Sequence, residues 1–398
     1  MQRFALVRFW SSDFLASFGD GLRLAGFPLL AAQITRSPTA VSAVIALVAF
    51  PWVLVGLGAG VFVDRHDLRW SMAWMQVLQI AMLIALATAV MMHAYDLLLL
   101  YGAAMLTGIA STVRVTAVQS ATPRLVAPGD LNQMNGRLTA GEVVGSELLG
   151  PASAGWLFAA GPALPFAVNA GGSGIAVLFV LTLPGVFRPL PRGPTAGVLD
   201  EMRAGLRWIA TDRVIRDLVA TVGVVAVADT AWFAVLVLYV GRILHEGPAE
   251  YGILLALGAV GGIAASSSYA WLSGKIGMHR LLVVAVLVMA ATQLVLGLTS
   301  DMAVAAGMMV GSSAAFGTFN VTAVGLRQMR VPPKLLGRVN GAYLTVAGGA
   351  EAVGALLGGA LASVAGIRAP MLAGVVPLLA LAVALAWRGN RAETVLSN

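Results

Sequence analysis

Cysteine is absent from the 398 residues, so disulfides, thiolate metal sites, iron–sulfur clusters and cysteine nucleophiles are excluded together. Charge is nearly as scarce. Asp, Glu, Lys and Arg make up 11% of the chain, against about 25% in an average soluble domain, while hydrophobic residues reach 59%. So few charges cannot cover the two or three soluble domains that a chain of this length would otherwise form. Histidine is rare too: His66, His93, His245 and His279 are scattered, with no pair at metal-ligand spacing. There is no GxxxxGK(S/T) phosphate loop and no Ser/His/Asp grouping. An enzyme, an ATP-driven machine and a cofactor or metal protein are therefore not expected. The surplus of 25 Lys+Arg over 18 Asp+Glu sits in short gaps between apolar runs, without the interleaved aromatics of a nucleic-acid surface.

What remains is apolar sequence in lengths that fit a bilayer, about 20 residues per crossing. Twelve such stretches run at about 7–33, 39–63, 71–92, 97–118, 136–160, 163–184, 214–241, 250–273, 280–299, 302–325, 340–364 and 368–388. The first is a retained helix rather than a signal peptide, because Asp13, Asp20 and Arg23 interrupt it. Of the 25 Lys+Arg, 20 fall on one side of the membrane, from Arg3 and Arg8 through Arg188, Arg192 and Arg203 to Arg388 and Arg391. Arg36, Arg242 and Arg368 fall on the other, and Arg23 and Arg114 lie inside spans. The positive-inside rule then puts both termini in the cytoplasm, which requires an even number of spans. An all-α, multi-pass protein of the cytoplasmic membrane is expected.

The chain also repeats itself. Val115-Thr116-Ala117-Val118 recurs as Val321-Thr322-Ala323-Val324, 206 residues on. Val126, Pro128, Leu131, Asn135 and Gly136 match Val331, Pro333, Leu336, Asn340 and Gly341 at 205, and Asp20, Glu142 and Gly145 match Asp229, Glu351 and Gly354 at 209. Two parallel six-helix repeats of this kind form transporters whose substrate site lies between the repeats near the midplane. The expected domains are 1–184, a cytoplasmic linker at 185–213, and 214–398. The linker opens with Phe187-Arg188-Pro189-Leu190-Pro191-Arg192 and continues as an amphipathic helix from Val198 to Ile209.

Three motifs carry more. Gly60-Val61-Phe62-Val63-Asp64-Arg65-His66-Asp67-Leu68-Arg69, between spans two and three on the basic side, resembles the signature loop of the major facilitator superfamily. Gly60 permits close helix approach, and Asp64 can cap a helix and be held by Arg65 or Arg69, a conformational latch. Its second-half counterpart, Gly274-Lys275-Ile276-Gly277, lacks the acid. In span five, Gly145-Ser146-Glu147-Leu148-Leu149-Gly150-Pro151-Ala152-Ser153-Ala154-Gly155 resembles the antiporter motif of exporters in that superfamily. Gly150-Pro151 bends the span, Gly145 and Gly155 let it pack tightly, and the second half has no matching proline. Ser17-Phe18-Gly19-Asp20, Asp64-Arg65-His66-Asp67, Pro123-Arg124-Leu125-Val126 and Glu201-Met202-Arg203-Ala204-Gly205-Leu206-Arg207 are similar to the branch that holds macrolide-efflux and enterobactin-export proteins. The resemblance implies a twelve-helix major facilitator fold and energy-coupled export of small molecules.

Charged groups inside spans are costly and mark function by default. Asp20 and Asp229 are repeat mates on helices that line the cavity in that superfamily, and Arg114 occupies the place of its proton-transfer arginine. These three are the expected proton-coupling set. Asp13, near the cytoplasmic end, is read as a solvated carboxylate, and Glu142 and Glu351 as groups near helix starts that cap a helix or latch a loop as readily as they couple; Glu147 completes the acids. Trp232, Phe233, Tyr239, Phe316 and Phe319 are candidates for an apolar pocket, with ordinary helix packing as the alternative. The expected activity is proton-antiport efflux of an amphipathic small molecule such as an antibiotic, drug or siderophore, by a monomer in the lipid bilayer with no cofactor or nucleic acid. Proton-coupled uptake and a non-transporting membrane sensor are the alternatives.

Overall fold

The structure is a computed structural model that describes residues 2–54, 62–63, 65–184, 187, 206–332 and 335–396. Among the described residues every regular element is helical. In chain order these are α1 (Gln2–Ile34), α2 (Pro38–Leu54), α3 (Leu68–Met91), α4 (Leu97–Leu125), α5 (Leu131–Glu142), a π-helical segment (Val143–Leu149), α6 (Gly150–Ala160) and α7 (Leu164–Leu181). The second half holds α8 (Arg213–Phe233), α9 (Leu236–Arg242), α10 (Pro248–Ile276), α11 (Met278–Leu298), α12 (Met302–Arg330), α13 (Leu336–Ala365) and α14 (Ala369–Leu396).

The ends of these helices follow from local sequence. Asp67, Asp96, Asp212 and Asp301 stand just before α3, α4, α8 and α12, and each carboxylate accepts from free backbone N–H groups of the first turn. Gly366 ends α13 with a φ of +92°, which a side chain would strain. Nine helical stretches among the described residues, one of them α8 and α9 taken together, are long and apolar enough to cross a bilayer. The expected spans outside that set are explained by their residues. α1 carries Asp13, Asp20 and Arg23, α2 is described for 17 residues only, and span five is divided among α5, the π segment and α6. Span seven, expected as one helix, breaks at Ala234–Val235 into α8 and α9 without proline or glycine at the break. Faces that water would punish are turned outward, as on α3, where Trp70, Trp74, Ile84 and Met91 are exposed.

The chain forms two compact units, one of 1–36, 47–202 and 247–253, the other of 37–46, 203–246 and 254–398. The first has a core around Phe9, Met72, Val113, Ala117 and Val180. The second has its own around Ile215, Val286, Met289, Phe319 and Leu378. Of the expected amphipathic helix, residues 198–205 lie outside the described residues; beyond them Leu206 is exposed and Ile209 buried.

Candidate functional site

α1 places Asp13 and Asp20 two turns apart on one face and Arg23 one turn further. α4 lies alongside and contributes Thr107, Ser111 and Arg114 to the same seam. Arg114 spans the two acids: Nη1 donates to Asp13 Oδ1 at 2.8 Å and Nη2 to Asp20 Oδ2 at 2.7 Å. Arg23 Nη2 pairs with Asp20 Oδ1 and donates to Ser111 Oγ at 2.8 Å. Ser111 Oγ in turn donates to Asp20 Oδ1 at 3.0 Å and accepts from Gln79 Nε2 of α3 at 2.8 Å. Two carboxylates and two guanidiniums thus neutralise each other where Arg114 is 2% and Asp13 12% exposed. Charges taken from water need this much compensation.

The network borders a cavity of about 340 Å³ lined by Asp13, Arg114, Gln119, Asn135, Thr139 and Glu142 among others. Asp13 is therefore not the solvated carboxylate expected from its nearness to the helix start, because Arg114 reaches it from α4 and closes over it. Glu142 does not start a helix either. It ends α5 on the cavity wall, and its repeat mate Glu351 lies at mid-length of the continuous α13. Ser111 and Gln79 were missed as site residues, and Arg23 was read only as a charge inside span one. The i,i+3 spacing of Asp20 and Arg23 was a readable signal, whereas Ser111 and Gln79 join only through tertiary packing.

Span five meets α1 at the same level. Pro151 has no N–H to give to the preceding turn, and Val143–Leu149 relaxes into π-helical pairing before α6 begins. A Cβ added to Gly145 would lie 2.9 Å from Phe18 N, and one on Gly150 2.6 Å from Gly21 Cα, so both glycines let the backbones touch on either side of Asp20. Gly155 makes a similar approach to Pro248, Ala249 and Gly252. Glu147 is exposed on the π segment. Of the expected latch, Gly60 and Asp64 lie outside the described residues. Arg65 is exposed, and Arg69 sits with its guanidinium carbon 5.1 Å from the centre of the Phe187 ring. The cap of α3 is Asp67, whose Oδ1 accepts from Arg69 N at 2.9 Å, and Leu68 N donates to Phe187 O at 3.1 Å.

In the second half Asp229 accepts from Trp232 Nε1 at 3.1 Å. Trp232 is buried and meets Phe233 edge to face, Phe319 is packed into the core, and Phe316 is exposed. An apolar groove of about 440 Å³ lies nearby between α8, α13 and α14, walled by Val224, Val227, Leu357 and Leu361. None of the five aromatic candidates is part of its wall.

A family model described as transmembrane secretion effector matches residues 1–393. The chain belongs to that family, within the major facilitator superfamily. Among curated relatives it is 25% identical over 376 residues to the multidrug efflux pump Tap of Mycobacterium tuberculosis, covering 92% of this chain and 88% of that protein. Over 123 residues it is 31% identical to an uncharacterized MFS-type transporter of the same organism, 30% of this chain and 28% of that protein. Its fold is that of the nucleoside transporter NupG, with a TM-score of 0.78 at 12% identity over 96% of this chain and 98% of that one. It matches equally a bacterial homologue of the iron transporter ferroportin in an inward-facing state, with a TM-score of 0.76 at 17% identity over 96% and 98%. The twelve-span, two-repeat reading holds, and the protein is a membrane transporter rather than an enzyme.

Proposed function

We propose that the protein exports amphipathic small molecules across the cytoplasmic membrane by proton antiport and alternating access, acting as a monomer with both termini in the cytoplasm. The halves 1–184 and 214–398, joined by 185–213, are the bodies that rearrange in this reading, and the signature loop with Gly60, Asp64, Arg65 and Arg69 latches one of their states. Asp20, Asp229 and Arg114 are the coupling set. The observation that carries the reading is the Asp13–Arg114–Asp20–Arg23 network on the wall of a polar cavity. A protein need not bury four charges to fold, and membrane interiors tolerate them mainly where ions or substrates pass. Kinship with a pump whose name records multidrug efflux, and the Gly150-Pro151 element, favour the outward direction.

The test is flux in proteoliposomes under an imposed pH gradient, with ethidium as a fluorescent amphipathic probe. Ethidium moving against the proton flow is the expected result. Movement with the protons would mean uptake, and no movement across a panel of amphipathic probes would mean a sensor rather than a pump.

A further inference from the structure

The cavity bordered by Asp13, Arg114 and Glu142 lies wholly within the first unit, between α1, α4 and α5. Backbone contacts fix how span five meets α1 there. Trp10 Nε1 donates to Arg137 O at 2.9 Å, and a Cβ added to Gly141 would lie 3.1 Å from the same nitrogen. One turn on, a Cβ added to Gly145 would lie 3.3 Å from Phe14 O. Glu142 follows Gly141 on the one helix and Asp13 lies between Trp10 and Phe14 on the other, so the two acids come to one level of the seam, and both line the cavity.

Their charges are not balanced alike. Asp13 is held by Arg114, whereas Glu142 is exposed and among the described residues pairs with no Lys or Arg. Network and cavity wall together hold three carboxylates, Asp13, Asp20 and Glu142, against two guanidiniums, Arg23 and Arg114, an excess of one negative charge. Arg114, only 2% exposed, lines the cavity as well, and while its Nη groups bind the two aspartates its Nε–H meets no acceptor among the described residues. A buried donor left unmade is costly, so the wall is short of a cation beside Glu142 and of an acceptor beside Arg114. The second half carries a cation of its own at corresponding positions. At the 205-residue spacing that pairs Val126 with Val331 and Asn135 with Asn340, the cavity-lining Thr122 and Leu138 correspond to Arg327 and Tyr343, and the Arg327 guanidinium carbon lies 3.8 Å from the centre of the Tyr343 ring. The first half has a hydroxyl and an aliphatic chain at those positions, beside an open cavity.

We propose that this cavity binds the protonated amine of an amphipathic molecule that carries an oxygen acceptor close to the nitrogen. Glu142 accepts from the ammonium, the Arg114 Nε–H donates to the oxygen, and Val115, Val118 and Leu138 on the same wall meet the carbon skeleton. Glu142 is then the residue that makes the protein prefer cations. That the bound molecule is also the exported one rests on the export reading above; the binding does not.

Propranolol and its glycol, in which a hydroxyl replaces the amine, form a matched pair of cation and neutral molecule. In equilibrium dialysis against the purified full-length protein in nonionic detergent, propranolol is expected to bind about tenfold or more tightly than the glycol, the scale of one hydrogen bond to a charged group. Glu142→Gln should bring propranolol down to the affinity of the glycol and leave the glycol unchanged, and Glu142→Asp should keep most of the preference. Glu147→Gln, an acid of the same span that is not on the cavity wall, should bind both as the wild type does. Equal binding of the pair by the wild type, binding of neither, a preference that survives Glu142→Gln, or a parallel loss of both ligands in that variant would overturn the proposal. A deoxy analogue of propranolol, with the amine but without the hydroxyl, should bind more weakly than propranolol; equal affinity would overturn the part assigned to Arg114. Wild-type vesicles that move no ethidium count against the export reading alone and leave the binding result in force.

Discussion

Removing Arg114 would leave Asp13 and Asp20 with only Arg23 to offset two buried charges. Breaking a buried pair by deleting one partner costs about 3–5 kcal/mol, so Arg114→Ala should unfold at a clearly lower temperature in detergent. Adding Asp13→Asn to Arg114→Ala should recover part of that loss, because the orphaned charge goes with its partner; a double variant no more stable than the single one would mean that the acids are hydrated in place. At the start of α8, outside the spans, the Asp212 carboxyl is held below the usual carboxylate range, first by the Ile215 N–H and further by Arg330. A depressed value in the folded state means stability that is present above the unfolded pKa of about 3.9 and lost as the pH falls through the folded value. The cap is worth about 1 kcal/mol, so Asp212→Ala should lower the unfolding temperature slightly at neutral pH and converge with the wild type in acid. That Asp13, Asp20, Arg23 and Arg114 matter was legible in the sequence, since each interrupts an apolar run. Which of them touch was not: the closest clue, the seven-residue spacing of Asp13 and Asp20, fixes a shared face and says nothing about an arginine 94 residues away.

At the scale of elements, glycine separates contact from mere exposure to lipid. A Cβ at Gly150 meets Gly21 Cα and backbone that cannot yield, whereas Gly171 of α7 has open space around it. Gly150→Ala is therefore expected to cost about 1–3 kcal/mol of stability, as overpacking does, and Gly171→Ala to be tolerated; thermal unfolding of the two side by side checks this. The helices themselves were legible wherever the apolar run was long and lightly charged, as in α3, α11 and α14. The π segment was not, because Gly150-Pro151 predicts a bend but not how the freed carbonyls upstream re-pair. Nor was the interruption of span seven, where Ala234 and Val235 carry no local signal for a break and tertiary packing decides.

For the whole molecule, the absence of native cysteine makes orientation directly testable, since any introduced thiol is the only one. With 20 Lys+Arg on one side and three on the other, Ser300→Cys should react with an impermeant maleimide in intact cells and Arg192→Cys should not. Reaction at position 192 would invert the topology. The duplication was readable because its matches keep their order along the chain. Its departures from symmetry were readable in part, in the second-half loop without the acid and the second-half span without the proline; that Arg23 and Arg114 close on the acids of the first half is shown only by the packing of α1 on α4.

Span five and α13 occupy matching places in the repeats, yet one is jointed and the other is a single rod of 30 residues. A push at one end of α13 arrives at the other almost undiminished. The same push on span five can be absorbed by the loosened turn at Val143–Leu149, directly behind the cavity wall. Two spans in matching places of the repeats thus differ in build, one with a joint in mid-course and one without.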